Sequence, residues 1–423
     1  MKSLFFFISL GITILFPWES SKIFIPSFEL NNNFNIHSGL DVLELSDFEI
    51  LKNKNIGLVI NHTSVNKYNT HFLDLIKNKK DIKINKIFTP EHGLEGKLSA
   101  GEFVKSVYDF ANNIEIISLY GKKKKPNSVD FHNLDLVIYD IQDIGSRYYT
   151  YISTMTYMME SCAENNLPFF VLDRPNPLGG DYVRGPILEL NYSSFVGIHP
   201  IPIVHGMTSG ELAIMINELE WINKRLDLTI IPVINWQRNE IYDGPMAGWI
   251  PPSPNIPDIE TVKLYTGLCL LEGTNISEGR GTYSPFKFIG APFIKPKEMD
   301  NFKNKLNNFG IGYESFSFTP ISILGMSNKP KFENDQCNGI KLSISEDREY
   351  DALKLSVELI FYLNKLYPNL FKFLESNFID NLYGSDKLRK MIESQSDINI
   401  LFDQWILDEE KFKNQREKFL IYK

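Results

Sequence analysis

The sequence holds only three cysteines in 423 residues, Cys162, Cys269 and Cys337. They are too few for a disulfide framework and too far apart for a metal knuckle. Cys162 and Cys269 fall in apolar helical patterns and read as small buried hydrophobes. Basic charge is short as well. Lysine and arginine number 44 against 52 aspartate and glutamate, and the formal net charge of -8 has the wrong sign for a surface that grips nucleic acid. The one basic run, Lys122 to Lys125, precedes Pro126-Asn127 and reads as a solvated loop. No G-x-G-x-x-G follows the first strand, where Asn61-His62-Thr63 stands instead, and "GLEGK" lacks the spacing of a phosphate loop. No nucleotide cofactor is therefore expected. No H-E-x-x-H occurs either, and the adjacent Glu91 and His92 would point apart in an extended chain, so no metal is expected. Long hydrophobic runs are missing with one exception. Lys2 precedes an apolar run of 13 residues, Leu4 to Phe16, which is short for a membrane span and fits the core of a secretory signal. Residues 1–21 accordingly read as a signal peptide, or as an uncleaved anchor because no A-x-A cleavage pattern follows. A periplasmic or secreted protein is expected, with membrane contact only through that segment.

Hydrophobic residues make up 43% of the chain, enough for a packed core, and the length suits two domains. From about residue 50, short β-branched runs alternate with amphipathic segments. Strands are expected over residues 56–61, 84–89, 114–119, 134–140, 168–173 and 228–234, and helices over 69–79, 148–166 and 260–271. Thr208 and Glu211 form a capping box before another helix. Near-continuous apolar strands between helices predict an α/β fold, a Rossmann-like, mostly parallel sheet with helices on both faces. After "SEGRGTYSPF" the character changes, with strands expected over 315–319 and 339–345 and helices over 296–308 and 350–367. The expected division is a catalytic domain over 36–285 and a smaller α+β domain over 286–423.

Polar residues gather where those strands end. The first strand ends in Asn61-His62, and the second reaches Glu91-His92 between Pro90 and Gly93. The fourth ends in Asp140, followed by Gln142, Asp143 and Arg147, and the fifth in Asp173-Arg174, followed by Asn176. Most have a local alternative as a turn former, helix cap or structural histidine, and His205 shares the last of these, whereas the turn imposed by Pro90 and Gly93 leaves the Glu91 carboxylate little local work. Ligands of open α/β sheets nevertheless bind beyond this edge. Arg147 opens a helix, an odd place for a cation that a bound anion would explain. A second constellation, "EGTNISEGRG", offers Glu272, Asn275, Glu278 and Arg280 among glycines.

The ordered motifs "GLVINHTSV", "IFTPEHGLEG", "SLYG", "DLVIYDIQDIGSRYYTYI", "VLDRPNPLGG", "IPIVHGMTSGELA", "PPSPNIP" and "EGTNISEGRGT" span roughly residues 40–295. Through them the chain resembles a family catalogued as the domain of unknown function DUF1343 and associated with exo-β-N-acetylmuramidases of the NamZ type. The resemblance implies an exo-acting glycosidase that removes terminal β-linked N-acetylmuramic acid from peptidoglycan fragments. Its catalytic glutamate falls on Glu91. On that footing Glu91 is the expected general acid, tuned by His92. Asp143, Asp140 or Glu278 is the expected second group, unless the substrate's acetamido group serves instead. Arg280, Arg147 or Arg174 would take the lactyl carboxylate. The rival readings are a periplasmic sugar or muropeptide binding protein without catalysis, and a deacylase or amidase, for which no nucleophile elbow or zinc motif is present.

Overall fold

The computed structural model of the chain describes residues 12–14, 18–26, 35–99, 101–102, 106–109, 114–246, 248–302, 309–344 and 349–423. Strand β7 (Leu136–Asp140) shows how the sequence builds its main sheet, because all five residues are buried. Val137 and Tyr139 pack into the core on one face, while Leu136 and Ile138 pack into the core on the other. That two-residue alternation is what a strand covered on both sides requires.

Eight more strands join it: β1 (Ile12–Ile14), β2 (Ser21–Ile25), β3 (Lys54–Ile60), β4 (Ile82–Thr89), β5 (Val107–Asp109), β6 (Ile114–Ser118), β8 (Phe169–Leu172) and β9 (Leu228–Ile231). Their spatial order is β1-β2-β9-β8-β7-β3-β4-β6-β5. The inner strands pair in parallel, and β1 and β5 close the two edges antiparallel. From β3 the chain steps outward through β4 and β6, returns to β7 on the other side of β3, and steps out again through β8 and β9. The reversal puts a topological switch point between β3 and β7, whose carboxyl ends border a crevice.

Helices α1 (Gly39–Leu45) and α2 (Phe72–Ile76) cover one face through Leu40, Leu43, Phe72 and Ile76. Helices α3 (Tyr151–Glu164) and α4 (Ser209–Glu218) cover the other through Ile152, Met155, Met159, Leu212 and Ile216. The expected capping box of Thr208 and Glu211 starts α4. Helix α2 is shorter than the 69–79 expected, because His71 caps it by accepting from the Leu73 amide.

Beyond α5 (Ile259–Leu268) lies a smaller antiparallel sheet, ordered β10 (Phe288–Ala291), β12 (Cys337–Ile344), β11 (Ile311–Phe318). The helices Ala352–Leu366, Phe378–Tyr383, Lys387–Glu393 and Asn399–Arg416 pack around it. Gly267 of α5 lets the Ala352–Leu366 helix cross at backbone distance, since a Cβ there would lie 1.9 Å from the Ala352 carbonyl oxygen. Leu268, Phe286, Leu353 and Ile360 share one continuous core with Met155 and Leu212, so the halves are welded through the α3/α4 face. The chain finally returns to the large sheet. The Tyr422 hydroxyl donates to Asp173 at 2.6 Å, and the Ile421 amide donates to Glu211 at 2.8 Å.

Strands β2, β5 and β10 had no counterpart in the sequence reading, being short or at sheet edges. Of the apolar run Leu4 to Phe16, only the backbone of β1 falls within the described residues, as do residues 296–302 of the helix expected over 296–308. No helix among the described residues is long and apolar enough to cross a membrane.

Candidate active site

Strand β4 ends in Thr89-Pro90, and the chain then turns sharply. His92 and Gly93 both adopt left-handed conformations, φ 72° and 74°, and the Gly93 amide closes the turn on the Pro90 carbonyl. The turn aims Glu91 into a cavity of about 620 Å³ between the two halves of the molecule. One carboxylate oxygen of Glu91 accepts from the Gly101 amide at 3.0 Å and the other from the Thr150 hydroxyl at 2.8 Å. Tyr120 stands against the same carboxylate, and burial together with the Glu91 charge pushes its phenol pKa up. His92 Nδ1 lies 2.6 Å from the Leu98 carbonyl, which can only accept, so Nδ1 carries the hydrogen. Burial lowers the His92 pKa against the pull of Glu91, leaving a neutral ring with a lone pair on Nε2.

The smaller half supplies the opposite wall as a row of ion pairs. Arg280 donates to Glu272 at 2.8 Å and lies 3.5 Å from Glu278, with its guanidinium 5.3 Å from the centre of the Phe286 ring. Lys331 completes the row, using all three of its hydrogens on the Leu271 and Ile276 carbonyls and Glu278. Burial pulls the Glu278 pKa up, but Lys331 and Arg280 outweigh it and hold the group below its ordinary value. Glu272 and Glu278 are thus fixed as ion-pair partners. Glu91, among the described residues, takes only neutral donors.

At the switch point, Asn61 and His62 form the support under one side of the cavity. Asn61 donates to the Tyr151 hydroxyl, which donates in turn to the Pro252 carbonyl at 2.6 Å. His62 Nε2 donates to the Pro251 carbonyl at 2.7 Å, its Nδ1 meeting no partner among the described residues. Gly96, at φ 66°, lies flat on this imidazole, and a Cβ there would fall 2.0 Å from the ring. The second glycine of "EHGLEG" therefore makes room for His62. Both residues hold the proline loop over the crevice, and neither reaches the cavity.

Several other residues expected at the site have structural roles instead. Asp140 and Arg174 form a buried bidentate pair, at 2.6 and 2.9 Å, and Arg174 also donates to the Val65 carbonyl. Asp173 is enclosed by Thr208, Tyr422 and the Gly210 amide. Gln142 donates to the Asp143 and Pro175 carbonyls, and Asn176 to the Met207 carbonyl. Asn275 bonds the Leu370 carbonyl and the Lys372 amide. Arg147 needs no bound anion, because its guanidinium donates to the carbonyls of Pro186, Ile201, Leu382 and Tyr383 at 2.8–2.9 Å. None of these lines the cavity. Of the expected residues, Glu91, His92, Glu272, Glu278 and Arg280 are brought together there.

Asp143 and His205 form a separate buried pair behind the cavity. His205 Nδ1 accepts from the Met207 amide, so Nε2 carries the hydrogen, and it stops 3.9 Å short of Asp143. Burial raises Asp143 to about 7 and lowers His205 to about 3. Between its ordinary 3.8 and about 7, Asp143 holds a proton in the folded chain that the unfolded chain sheds, so it draws stability down as pH rises through that window. His205 acts oppositely, adding stability as pH rises from about 3 to its ordinary 6.5. Asp143→Asn removes only the first effect. Urea unfolding should therefore show the variant gaining ~2–4 kcal/mol on the parent between pH 4 and pH 8. A gap that does not move with pH would mean Asp143 is ionised in the folded state throughout.

Sequence reasoning missed Tyr120, Thr150 and Lys331. Tyr120 stands in "SLYG", among the motifs that carry the family resemblance, and Thr150 lies in "SRYYTYI" beside Arg147. Lys331 had no signal, because its segment shows neither periodicity nor a reactive spacing.

A doubly wound sheet, a smaller α+β half across its carboxyl edge and a carboxylate-lined cleft between them define a two-lobed α/β protein with a saccharide-type site. Family models described as the N-terminal and C-terminal parts of exo-beta-N-acetylmuramidase NamZ match residues 56–260 and 263–422, and the chain belongs to this family. It is 40% identical over 388 residues to the peptidoglycan beta-N-acetylmuramidase NamZ of Bacillus subtilis, covering 92% of this chain and 91% of that one. Two crystal structures of DUF1343 family proteins from Bacteroides fragilis share the fold. One has a TM-score of 0.83 at 29% identity, covering 92% of this chain and 100% of the other. The second has a TM-score of 0.75 at 37% identity, covering 92% and 99%.

Proposed function

We infer that the protein is an exo-acting glycoside hydrolase that releases terminal β-linked N-acetylmuramic acid from the non-reducing end of peptidoglycan fragments. The observation that carries the assignment is the contrast among the cavity carboxylates. Glu272 and Glu278 are held by Arg280 and Lys331, whereas Glu91, among the described residues, is bonded by an amide and hydroxyls alone. A carboxyl so placed can give up and regain a proton without breaking an ion pair, which is what protonation of a leaving-group oxygen demands. The likeness to the Bacillus subtilis muramidase along nearly the whole chain supports the same reading.

Glu91 acts as the general acid, and neutral His92, tied to Leu98, fixes the turn that presents it. Asp140 and Asp143 are enclosed behind the cavity, so neither faces the bond to be cut. The nucleophilic partner is then Glu272, Glu278 or the substrate's own acetamido oxygen. On the same footing we propose that residues 1–21, as a signal or an anchor, direct the chain to a substrate outside the cytoplasm.

The test is release of free N-acetylmuramic acid from a chromogenic β-muramoside and from a muropeptide chain with that sugar at its non-reducing end. Turnover is expected on both. Saturable binding of either compound without product would establish the binding-protein reading instead.

A further inference from the structure

The basic run Lys122 to Lys125 is patterned by the fold. Lys123 pairs with Asp130 at 2.6 Å, and Lys125 pairs with Glu160 and Glu164, both at 2.7 Å. These flanking anchors turn Lys124 the other way, toward the cavity, where its ammonium lies 4.4 Å from the centre of the Phe195 ring. Phe195 occupies the tip of a tight turn closed by reciprocal bonds between Ser194 and Gly197. Its ring stacks on Tyr157 at 6.2 Å and meets Tyr120 at 6.0 Å. Tyr120 in turn touches Glu91. An unbroken line of side chains thus runs from the acid to a cation at the rim.

The other charges of the cavity make that cation distinctive. Arg280 is shared by Glu272 and Glu278, and Lys331 has no hydrogen left to give. Arg147 and Arg174 are spent elsewhere. Lys124 and Lys329 are the cavity cations that have no carboxylate partner among the described residues. Of these Lys124 is the one braced by an aromatic ring, so its charge is held in place without being neutralised. A carboxylate entering the cavity finds Arg280 and Lys331 already paired with Glu272 and Glu278, and meets a cation free of such a pair at this rim.

We propose that Lys124, backed by Phe195, receives the carboxylate borne on the lactyl side chain of the substrate. This deepens the muramidase reading and rests on it. The carboxylate has two possible sources, the lactyl group itself or a peptide attached to it, and the same cation would serve either.

The experiment compares the parent protein, Lys124→Gln and Lys124→Arg on three β-muramosides. One has a free lactyl acid, one a lactyl carboxamide, and one a lactyl-linked dipeptide ending in a carboxylate. Calorimetric titration with free N-acetylmuramic acid reports binding apart from turnover. Lys124→Gln should raise KM on the free acid by about tenfold, the worth of one charge-assisted hydrogen bond, with the larger change in KM than in kcat. Lys124→Arg should restore most of the loss, and on the carboxamide the penalty should shrink below about threefold. A penalty seen on the dipeptide and not on the free acid assigns the carboxylate to the peptide. Equal penalties on acid, dipeptide and carboxamide, or none on any, overturn the proposal. Should the parent release no N-acetylmuramic acid yet bind it in a Lys124-dependent way, the hydrolase reading fails and the role of Lys124 stands.

Discussion

Glu91→Gln should lower kcat on a terminal muramoside by at least about 10²–10⁴-fold while leaving the protein folded. The amide keeps the size of the carboxylate and one oxygen for the Gly101 amide or Thr150 hydroxyl, so the turn after β4 should persist. What it loses is the proton. Two measurements made together decide the matter, turnover of a chromogenic muramoside and the thermal midpoint. Near-parental activity would remove Glu91 from the chemistry, and a collapsed midpoint would show the loss to be structural. His92→Gln is the companion variant. It should alter the pH profile less than it alters the turn, since the ring is already neutral and bound to Leu98.

The second large effect is expected at Arg147→Met. The guanidinium is 2% exposed and gathers four backbone carbonyls from three separate segments, around residues 186, 201 and 382–383. Removing it strands those carbonyls in the interior, each at a cost of roughly 1–3 kcal/mol when unmet. Relaxation and the relief of a buried charge recover part of that sum, and a net loss of about 3–5 kcal/mol is expected in urea unfolding. Lysine should rescue little, because one ammonium cannot reproduce a planar fork spread over four acceptors. A Met variant within about 1 kcal/mol of the parent would show that the carbonyls find other donors. Leu382 both lines the cavity and lends this arginine its carbonyl, so KM should worsen with stability.

The large sheet was legible because its strands are buried on both faces, and a continuous apolar run is a strong signal. Edge strands such as β5, with Val107 and Tyr108 exposed, carry no such pattern. The polar strand ends were legible as a group but not in their division of labour. Asp140 and Arg174 lie 34 residues apart, and nothing local in either shows that they saturate each other. Asp173 looked like a ligand group for the same reason, its partner Tyr422 being 249 residues away. Glu91 was singled out because Pro90 and Gly93 imposed a turn with no local use for a carboxylate. Tyr120 and Lys331 reach the site only through tertiary contact, and Lys124 looked like one solvated lysine among four until its neighbours were seen to be anchored.

The contact between Asp173 and Tyr422 also sets a schedule for biosynthesis. At roughly 5–20 residues per second, a ribosome needs on the order of 10–50 s to deliver Tyr422 after Asp173 has emerged. Through that interval the β8 end of the sheet holds a carboxylate short of a donor, and the α3/α4 face lacks the apolar partners supplied by Leu353 and Ile360. The larger half therefore completes its core, and the last bond to Asp173, only after residues 353–422 have been made. Folding of the parent should complete late and in one step, with no early resting point at the boundary between its halves.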